Sequence, residues 1–473
     1  MATPIPENRV ALTLDEIVAA TGGTLRPGLH AAVTGVTTDS RADVAGKLFV
    51  ALIGESFDGH AYVADVARRG AHAVVVCRDV EVPEGTAVIR VENTLSALGA
   101  LACFHRSRWG GKLVAIGGSA GKTTTKSAVA AFLEAALPGA VHFARGNLNN
   151  LVGVPMVLFG LTEAHRVCVV ELGTNQRGEV ARLAEITHPD VAVLTLVAIE
   201  HSEGIGDIDA IEAEEGALFA AIGPGGTAIG NADDARVQRL LGAAPAAHKL
   251  SYGGAEAAAY RVVSRTLRGL DRSVVEIARP GGERVTLETQ LLGRPGALAL
   301  AAALAVTERV SGARVSSEVA ARALALLGAG EAQRLVPIEL GDGTVVVDDS
   351  YNANPASVLS SAETAREIAR GRGARLLLVV GEMRELGPLS VREHQELGRA
   401  LGRFGADALF AVGGDAAYVA ELGGGSFAAD AEAALGMVLS ELRAGDVVLV
   451  KASRGVRAER VVEGLVRAKG RAA

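Results

Sequence analysis

Aromatic side chains are scarce in this 473-residue chain: 3% of positions, with one tryptophan and five tyrosines. So few rings argue against the stacking platforms on which single-stranded nucleic acid lies. Positive charge is not in surplus either. Forty-seven Lys and Arg against 54 Asp and Glu leave a formal net charge of −7, which argues against binding nucleic acid through its backbone. The three cysteines, Cys77, Cys103 and Cys168, are odd in number, form no CxxC spacing and lie in apolar stretches. That pattern predicts small core residues of a reducing compartment rather than a disulfide framework. No uninterrupted apolar run approaches the ~18–20 residues a membrane span needs, and Met1 to Thr13 lacks a basic segment followed by an apolar one. The expectation is a cytoplasmic protein with no membrane insertion. Internal repeats and low-complexity tracts are absent as well.

What is abundant is small: 58 glycines and long alanine runs, within 49% hydrophobic and 21% charged residues. That is ordinary globular usage, and at roughly 150 residues per domain the length suggests about three domains. Up to about residue 108 the pattern is a small α/β unit: a helix through Ala20 capped by Thr13, strands at Leu48–Leu52, Ala73–Val76 and Ala87–Val91, then a helical period from Asn93 to Trp109. From 109 to about 330, strands at Leu113–Ile116, Val167–Leu172 and Val191–Val197 alternate with helices, the mark of a mostly parallel, doubly wound sheet. Between Leu250 and Leu292 alternating residues predict an antiparallel patch on the same domain, and Gly296–Val310 returns to helix. From 331 to 473 strands at Thr344–Val347, Leu376–Val380, Ala408–Val412 and Val447–Val450 form a second, Rossmann-like parallel series.

The sharpest local signal is Gly117-Gly118-Ser119-Ala120-Gly121-Lys122-Thr123-Thr124-Thr125, set between a strand and a helix. Glycines let successive backbone N–H groups converge on phosphate oxygens, and the helix N-terminus adds positive field. Lys122 is placed for the terminal phosphates of a nucleotide and the Thr123 hydroxyl for Mg²⁺. The strict motif wants a glycine where Ile116 stands, so this is the shorter Gly-x-x-Gly-Lys-Thr form.

The loop resembles the ATP loop of the Mur ligase family, and other runs extend the resemblance collinearly over nearly the whole chain. They include Thr37-Thr38-Asp39-Ser40-Arg41, Leu48-Phe49-Val50-Ala51-Leu52, Gly146-Asn147-Leu148-Asn149-Asn150, Asp348-Asp349-Ser350-Tyr351-Asn352-Ala353-Asn354-Pro355, Gly381-Glu382-Met383-Arg384-Glu385-Leu386-Gly387 and Lys451-Ala452-Ser453-Arg454. The resemblance implies a P-loop central domain between a small α/β N-terminal domain that binds a UDP-linked substrate and a C-terminal domain that closes over ATP and an incoming dipeptide. The implied activity is ATP-dependent amide ligation through an acyl phosphate, with UDP-N-acetylmuramoyl tripeptide and D-alanyl-D-alanine as substrates, ATP and Mg²⁺ as cofactors, and a monomeric enzyme. Lys122, Glu171, His201 and Glu215 are the implied catalytic set; Thr123, Glu171 and His201 the metal ligands. Arg334, Asp349 and Asn352 join the phosphate loop at the nucleotide. Ser40, Arg41, Phe49 and His60 are assigned to the uridine diphosphate, with Asn147, Asn150, Lys451, Ser453 and Arg454 on the rest of the substrates. His394 and Glu382 to Glu385 match the family without an assigned role.

The chain also departs from the pattern. Where the family carries a carbamylated lysine, this sequence has Glu215, inside Glu214-Glu215-Gly216-Ala217-Leu218-Phe219. A glutamate supplies the same charge without CO₂, with roughly 3–4 Å less reach, and water can fill that gap at a Mg²⁺ site. One reading is that Glu215 replaces the carbamate and frees the enzyme from bicarbonate; the other is a plain helix-surface residue beside Glu212 and Glu214. The family's Gly-Arg-His-Asn-x-x-Asn-Ala reads Gly293-Arg294-Pro295-Gly296-Ala297-Leu298-Ala299-Leu300, its Asn-His reads Asn175-Gln176, and its Thr-Asn reads Thr195-Leu196. These departures leave open a diverged ligase with another amino-acid or peptide substrate, or a binding protein that keeps ATP or UDP-sugar affinity.

Overall fold

Thr13 opens the first helix as the sequence predicts. Its hydroxyl accepts the Glu16 amide while the Glu16 carboxylate accepts the Thr13 amide, a reciprocal cap on helix Leu14–Thr21. Asn93 caps helix Thr94–Arg108 by accepting the Ser96 amide at 2.9 Å. The computed structural model describes residues 6–54, 56–328 and 335–472. Its first sheet runs in the order Thr24–Arg26, Ala87–Arg90, Ala73–Val76, Leu48–Val50, Val36–Thr37, parallel except at the first pair. The two edge strands are two or three residues long, too short for an alternating pattern to mark them.

Among the described residues the central sheet has nine strands, and strand Lys112–Gly117 lies near its middle, parallel to Val167–Glu171 on one side and Val191–Leu194 on the other. Chain order reverses about this strand, so its C-terminal end is a topological switch point, where open α/β sheets hold their ligands. Glu171 closes the neighbouring strand in register with Ile116, which brings a carboxylate to the same edge. The antiparallel patch is present but begins later than the sequence suggests. His248–Gly253, which contains Leu250, still pairs in parallel with Thr227–Asn231; only Tyr260–Arg268, Arg272–Ala278 and Arg284–Thr289 are antiparallel to one another.

Helix Gly293–Ser311 packs in the same apolar cluster as the phosphate-loop helix Lys122–Ala136. Ala299 to Ala305 are all at most 1% exposed, against Val129, Phe132 and Leu133. The alanine excess here is a close-packed face that lets two helices approach. Pro295 and Gly296 stand in its first turn, where a missing N–H costs least.

The C-terminal sheet is ordered Val336–Glu339, Val345–Asp349, Val447–Lys451, Leu376–Gly381, Ala408–Val412, Ser426–Ala428, parallel but for the first pair. Asp349 and Lys451 are direct cross-strand partners. Arg334 and the domain boundary near residue 331 lie outside the described residues. Of the cysteines only Cys168 is buried; Cys77 and Cys103 are half-buried, and all three are free.

A histidine group at one corner of the central sheet gives stability a pH dependence. His142 donates Nε2–H to the Val157 carbonyl at 2.8 Å, and its ring lies 4.9 Å from that of His165. Burial, helped by His165 and opposed by the Val157 bond, holds His142 below the usual 6.5. The unfolded chain therefore binds a proton that the folded chain refuses, so stability falls as pH drops below about 6.5, by up to about 1.4 kcal/mol per pH unit for one such proton. Melting temperatures at pH 7.5 and 5.5 should fall less for His142→Gln, which keeps a donor and does not titrate, than for the unsubstituted chain.

Candidate active site

Two glycines shape the phosphate loop. Gly118 has φ +114°, and a Cβ there would meet the Thr195 hydroxyl at 2.3 Å; Gly121 has φ +85° and precedes helix Lys122–Ala136. The loop is tied down from below: Ser119 donates its amide to the Leu196 carbonyl at 2.7 Å, and its hydroxyl accepts the Ala198 amide at 2.9 Å. Above it lies a cavity of about 360 Å³, walled by Ser119 to Thr124, by Asn147, Asn149, Asn150, Glu171 and Asn175, and across the domain junction by Tyr351 to Asn354, Glu385 and Arg454.

Lys122 sits at the floor. Its ammonium donates to the Gly118 carbonyl at 2.6 Å and to Glu200 Oε1 at 3.2 Å. Burial alone would lower its pKa, but the carboxylates of Glu200, Glu215 and Glu171 outweigh it and hold the charge firmly on. Burial pushes Glu200 up, against the pull of Lys122 and His201. Sequence reasoning alone misses Glu200, although an acidic residue just after an apolar strand, beside His201, is a signal for it.

Glu171 is 2% exposed; its Oε1 accepts from Asn149 at 2.9 Å, while its Oε2, 3.6 Å from Lys126 Nζ, has no hydrogen-bond donor. A buried carboxylate oxygen without a donor is the kind of hard ligand Mg²⁺ takes, and Thr123 stands on the same cavity wall. Among the described residues no three His, Cys, Asp or Glu side chains already converge at ligating spacing. The donor set fits Mg²⁺, an ion that keeps several of its own waters.

His201 adopts a left-handed conformation, φ 47°, and its Nδ1 is paired with the Glu385 carboxylate of the C-terminal sheet's loop. Burial works to lower its pKa, but Glu385 and Glu200 raise it overall.

The three acidic residues of helix Ile208–Ala220 separate into three roles. Glu212 pairs with Arg236 and Arg239, and Glu214 accepts the Gly178 and Val180 amides at the start of helix Glu179–Thr187. Glu215 is 1% exposed and accepts the Gly118 amide at 2.7 Å, with its other oxygen unpartnered. It is no surface residue, and it lies beneath the phosphate loop rather than on the cavity wall.

In the C-terminal domain Asn352 and Arg454 line the cavity, and the Arg454 guanidinium lies 5.5 Å from the centre of the Tyr351 ring. Asp349, Lys451 and Ser453 stand behind that wall. Lys451 Nζ, 1% exposed, donates to Asp349 Oδ2 at 2.6 Å and to the Asn352 carbonyl at 2.9 Å, which fixes the turn that presents Asn352. Ser453 Oγ accepts the Arg384 amide. Lys451→Met should destabilise the chain by about 3–5 kcal/mol by stranding the Asp349 charge. Urea denaturation of Lys451→Met and of the double variant with Asp349→Leu tests this, with much of the loss recovered in the double variant.

Asn147 and Asn150 both line the cavity, and the Asn150 Oδ1 also accepts the Gly153 amide at 2.8 Å, just before helix Gly153–Leu158. In the N-terminal domain Arg41 is exposed and paired with Asp39, with Ser40 beside it. Two expectations there are corrected. Phe49 is 1% exposed inside an apolar cluster with Val63, Val66 and Val74, so its ring is not available to stack on a base. His60 is buried with both ring nitrogens engaged, Nδ1 on Asp58 and Nε2 accepting the Cys77 amide. Their motif match reflects the core beneath the surface, not the surface.

Family models match in the order the domains occur: the Mur ligase catalytic domain at residues 32–106, the Mur ligase middle domain at 116–307, and the Mur ligase, glutamate ligase domain at 333–454. Curated relatives are similar almost end to end. UDP-N-acetylmuramoyl-tripeptide–D-alanyl-D-alanine ligase of Escherichia coli (strain K12) is 32% identical over 96% of this chain and 98% of its own length. The chain belongs to the Mur ligase family. The ligase of the same name from Bacillus subtilis (strain 168) is 30% identical, over 92% of this chain and 93% of its own. Among solved structures, MurF from Acinetobacter baumannii superposes with a TM-score of 0.85 at 27% identity, covering 97% of this chain and all of that one. MurF from Thermotoga maritima in complex with ADP gives 0.79 at 26% identity, over 91% and 97%. The Mur ligase fold thus fixes the three-part α/β architecture that the sequence implied. Where the family's asparagines are missing, this chain buries Ala299 and pairs Arg294 with Asp233 at 2.9 Å. Among the described residues no helix is long and apolar enough to cross a membrane.

Proposed function

We propose that this chain is the ATP-dependent ligase that joins D-alanyl-D-alanine to a UDP-N-acetylmuramoyl tripeptide, acting as a cytoplasmic monomer. The observation that carries the reading is the placement of Lys122 and the phosphate loop on one wall of a cavity whose other wall is Asn352 and Arg454 of the next domain. Relatives of that printed activity match over nearly their whole length.

In the proposed reaction the tripeptide's terminal carboxylate attacks the γ-phosphorus of ATP and ADP leaves. The dipeptide's amine then attacks the acyl phosphate, an amide bond forms, and inorganic phosphate departs with the released proton going to solvent or a base. Lys122 neutralises the transferring phosphoryl oxygens, and the loop amides orient them. Glu171, Thr123 and His201 would hold Mg²⁺, which supplies further charge neutralisation when bound. Asn352 and Arg454 supply polar and cationic contacts to nucleotide and substrate, and Ser40 and Arg41 remain the accessible groups for the uridine diphosphate. Positioning two substrates against ATP is the larger part of the catalysis.

ADP release measured with each substrate withheld in turn tests the proposal. Release should need the UDP-linked tripeptide and turn over steadily only when D-alanyl-D-alanine is also present. ADP release indifferent to both would sink it.

A further inference from the structure

The loop Glu382 to Gly387 reaches from the C-terminal sheet to the central domain and is held at every step. The Glu382 amide donates to the Val412 carbonyl at 2.9 Å, and the Ser453 amide donates to the Glu382 carbonyl at 3.2 Å. The Met383 amide donates to His394 Nε2 and the Arg384 amide to Ser453 Oγ, each at 2.9 Å. Beyond that point the partners change domain. The Glu203 amide donates to the Glu385 carbonyl at 3.1 Å, and the Ser202 hydroxyl to the Leu386 carbonyl at 2.9 Å.

At the crossing two non-glycine residues, His201 with φ 47° and Glu385 with φ 66°, both take the left-handed conformation and pair side chain to side chain. Such backbone persists only where surroundings over-determine it. His394 is fully buried, donates Nδ1–H to the Ser390 carbonyl at 2.8 Å, and so presents Nε2 as an acceptor. With Nδ1 of His201 facing the Glu385 carboxylate as an ion pair, the ring's Nε2 is the nitrogen left to serve the cavity, where its near neighbour is Glu200 at 3.9 Å. A carboxylate on the far nitrogen is how metal-binding imidazoles are oriented.

We propose that Glu385 is a positioning residue that orients the His201 imidazole from the other domain, and that His394 presets Glu385 by holding the Met383 amide. The proposal rests on the ligase reading only for His201's place beside the divalent cation. On this account the cation site is finished only when the C-terminal domain is docked.

The test is Mn²⁺ binding to the full-length chain with ADP present, followed by the electron paramagnetic resonance of free Mn²⁺. Glu385→Ala should weaken the Mn²⁺ dissociation constant about 10-fold or more. His394→Leu should weaken it similarly, and His394→Gln, which restores an acceptor for the Met383 amide, should recover most of the loss. The double variant of Glu385→Ala with His394→Leu should bind no worse than Glu385→Ala alone, because the two act in series. Unchanged affinity in Glu385→Ala, losses that multiply in the double variant, or no saturable Mn²⁺ binding by the unsubstituted chain would each overturn the proposal. Cation affinity is read without either ligase substrate, so a failed substrate assay beside an intact Mn²⁺ pattern would count against the ligase reading alone.

Discussion

Lys122→Met should lower kcat for substrate-dependent ADP release by about 10²–10³-fold, the usual consequence of losing one preorganised charge at a transferring group. In the structure the ammonium rests on the Gly118 carbonyl and Glu200. Three acidic side chains keep it protonated in spite of its burial. On the proposed reading it is charged and aimed before ATP arrives, with phosphate oxygens replacing Glu200 as its partner. Methionine keeps the stem and removes the charge. Arginine should not rescue, since its planar fork cannot occupy a site shaped for a compact ammonium between a carbonyl and one carboxylate. Steady-state rates of both variants, with circular dichroism melts to confirm folding, check this; activity within 10-fold of the unsubstituted chain in Lys122→Met would contradict it.

Glu215 carries the second large effect. Glu215→Ala removes the acceptor of the Gly118 amide and a buried charge beside Lys122, and should cost about 10²-fold in kcat/KM, as for the loss of one oriented group in such a site. Glu215→Gln keeps an acceptor for Gly118 and discards the charge, so it separates tethering from electrostatics. We expect the glutamine variant to melt like the unsubstituted chain yet turn over as slowly as the alanine one. Burial, opposed by Lys122 and the Gly118 amide, pushes the Glu215 carboxyl up to about 7, so its charge depends on what surrounds it. Cationic Lys122 and a divalent cation both favour ionisation. We propose that Glu215 takes the place of the family's carbamylated lysine, a carboxylate that needs no CO₂. The chain should keep full activity in CO₂-depleted buffer, and a strong rescue by added bicarbonate would refute the replacement.

Much of this site was legible because its chemistry demands particular residues in a row. Gly118, Gly121, Lys122 and Thr123 are adjacent, so their spacing announces the loop before any fold is known. Glu171 could be placed because a strand end beside the switch point is dictated by the alternation of apolar runs. What the sequence hid was depth. Phe49 and His60 sit in motif-bearing runs, but in strand Leu48–Val50 all three side chains are buried and the His60 ring spends both nitrogens on Asp58 and Cys77. A pattern match does not say which residues reach the surface. The resemblance assigns Asp349 to the nucleotide and Lys451 to the other substrates; in the structure the two are cross-strand partners behind the cavity wall. Contacts between domains were invisible for a related reason. Asn354 reaches Ser119, and Glu385 reaches His201, across more than 180 residues of chain, and no local period encodes such pairs. The Ala-rich helix is the converse case: composition alone does not show its role, and burial shows close packing.

The central claim is tested most directly by the mass of the product. The chain would be incubated with ATP, Mg²⁺, a UDP-N-acetylmuramoyl tripeptide and D-alanyl-D-alanine, and the UDP-linked species followed by mass spectrometry. The account predicts a single new species heavier than the tripeptide by the dipeptide less one water, formed in step with ADP and phosphate and formed about 10²–10³-fold more slowly when Lys122→Met is used. ATP consumption with the UDP-linked tripeptide unchanged in mass, or a product that carries a different amino acid or peptide in preference to D-alanyl-D-alanine, would contradict it.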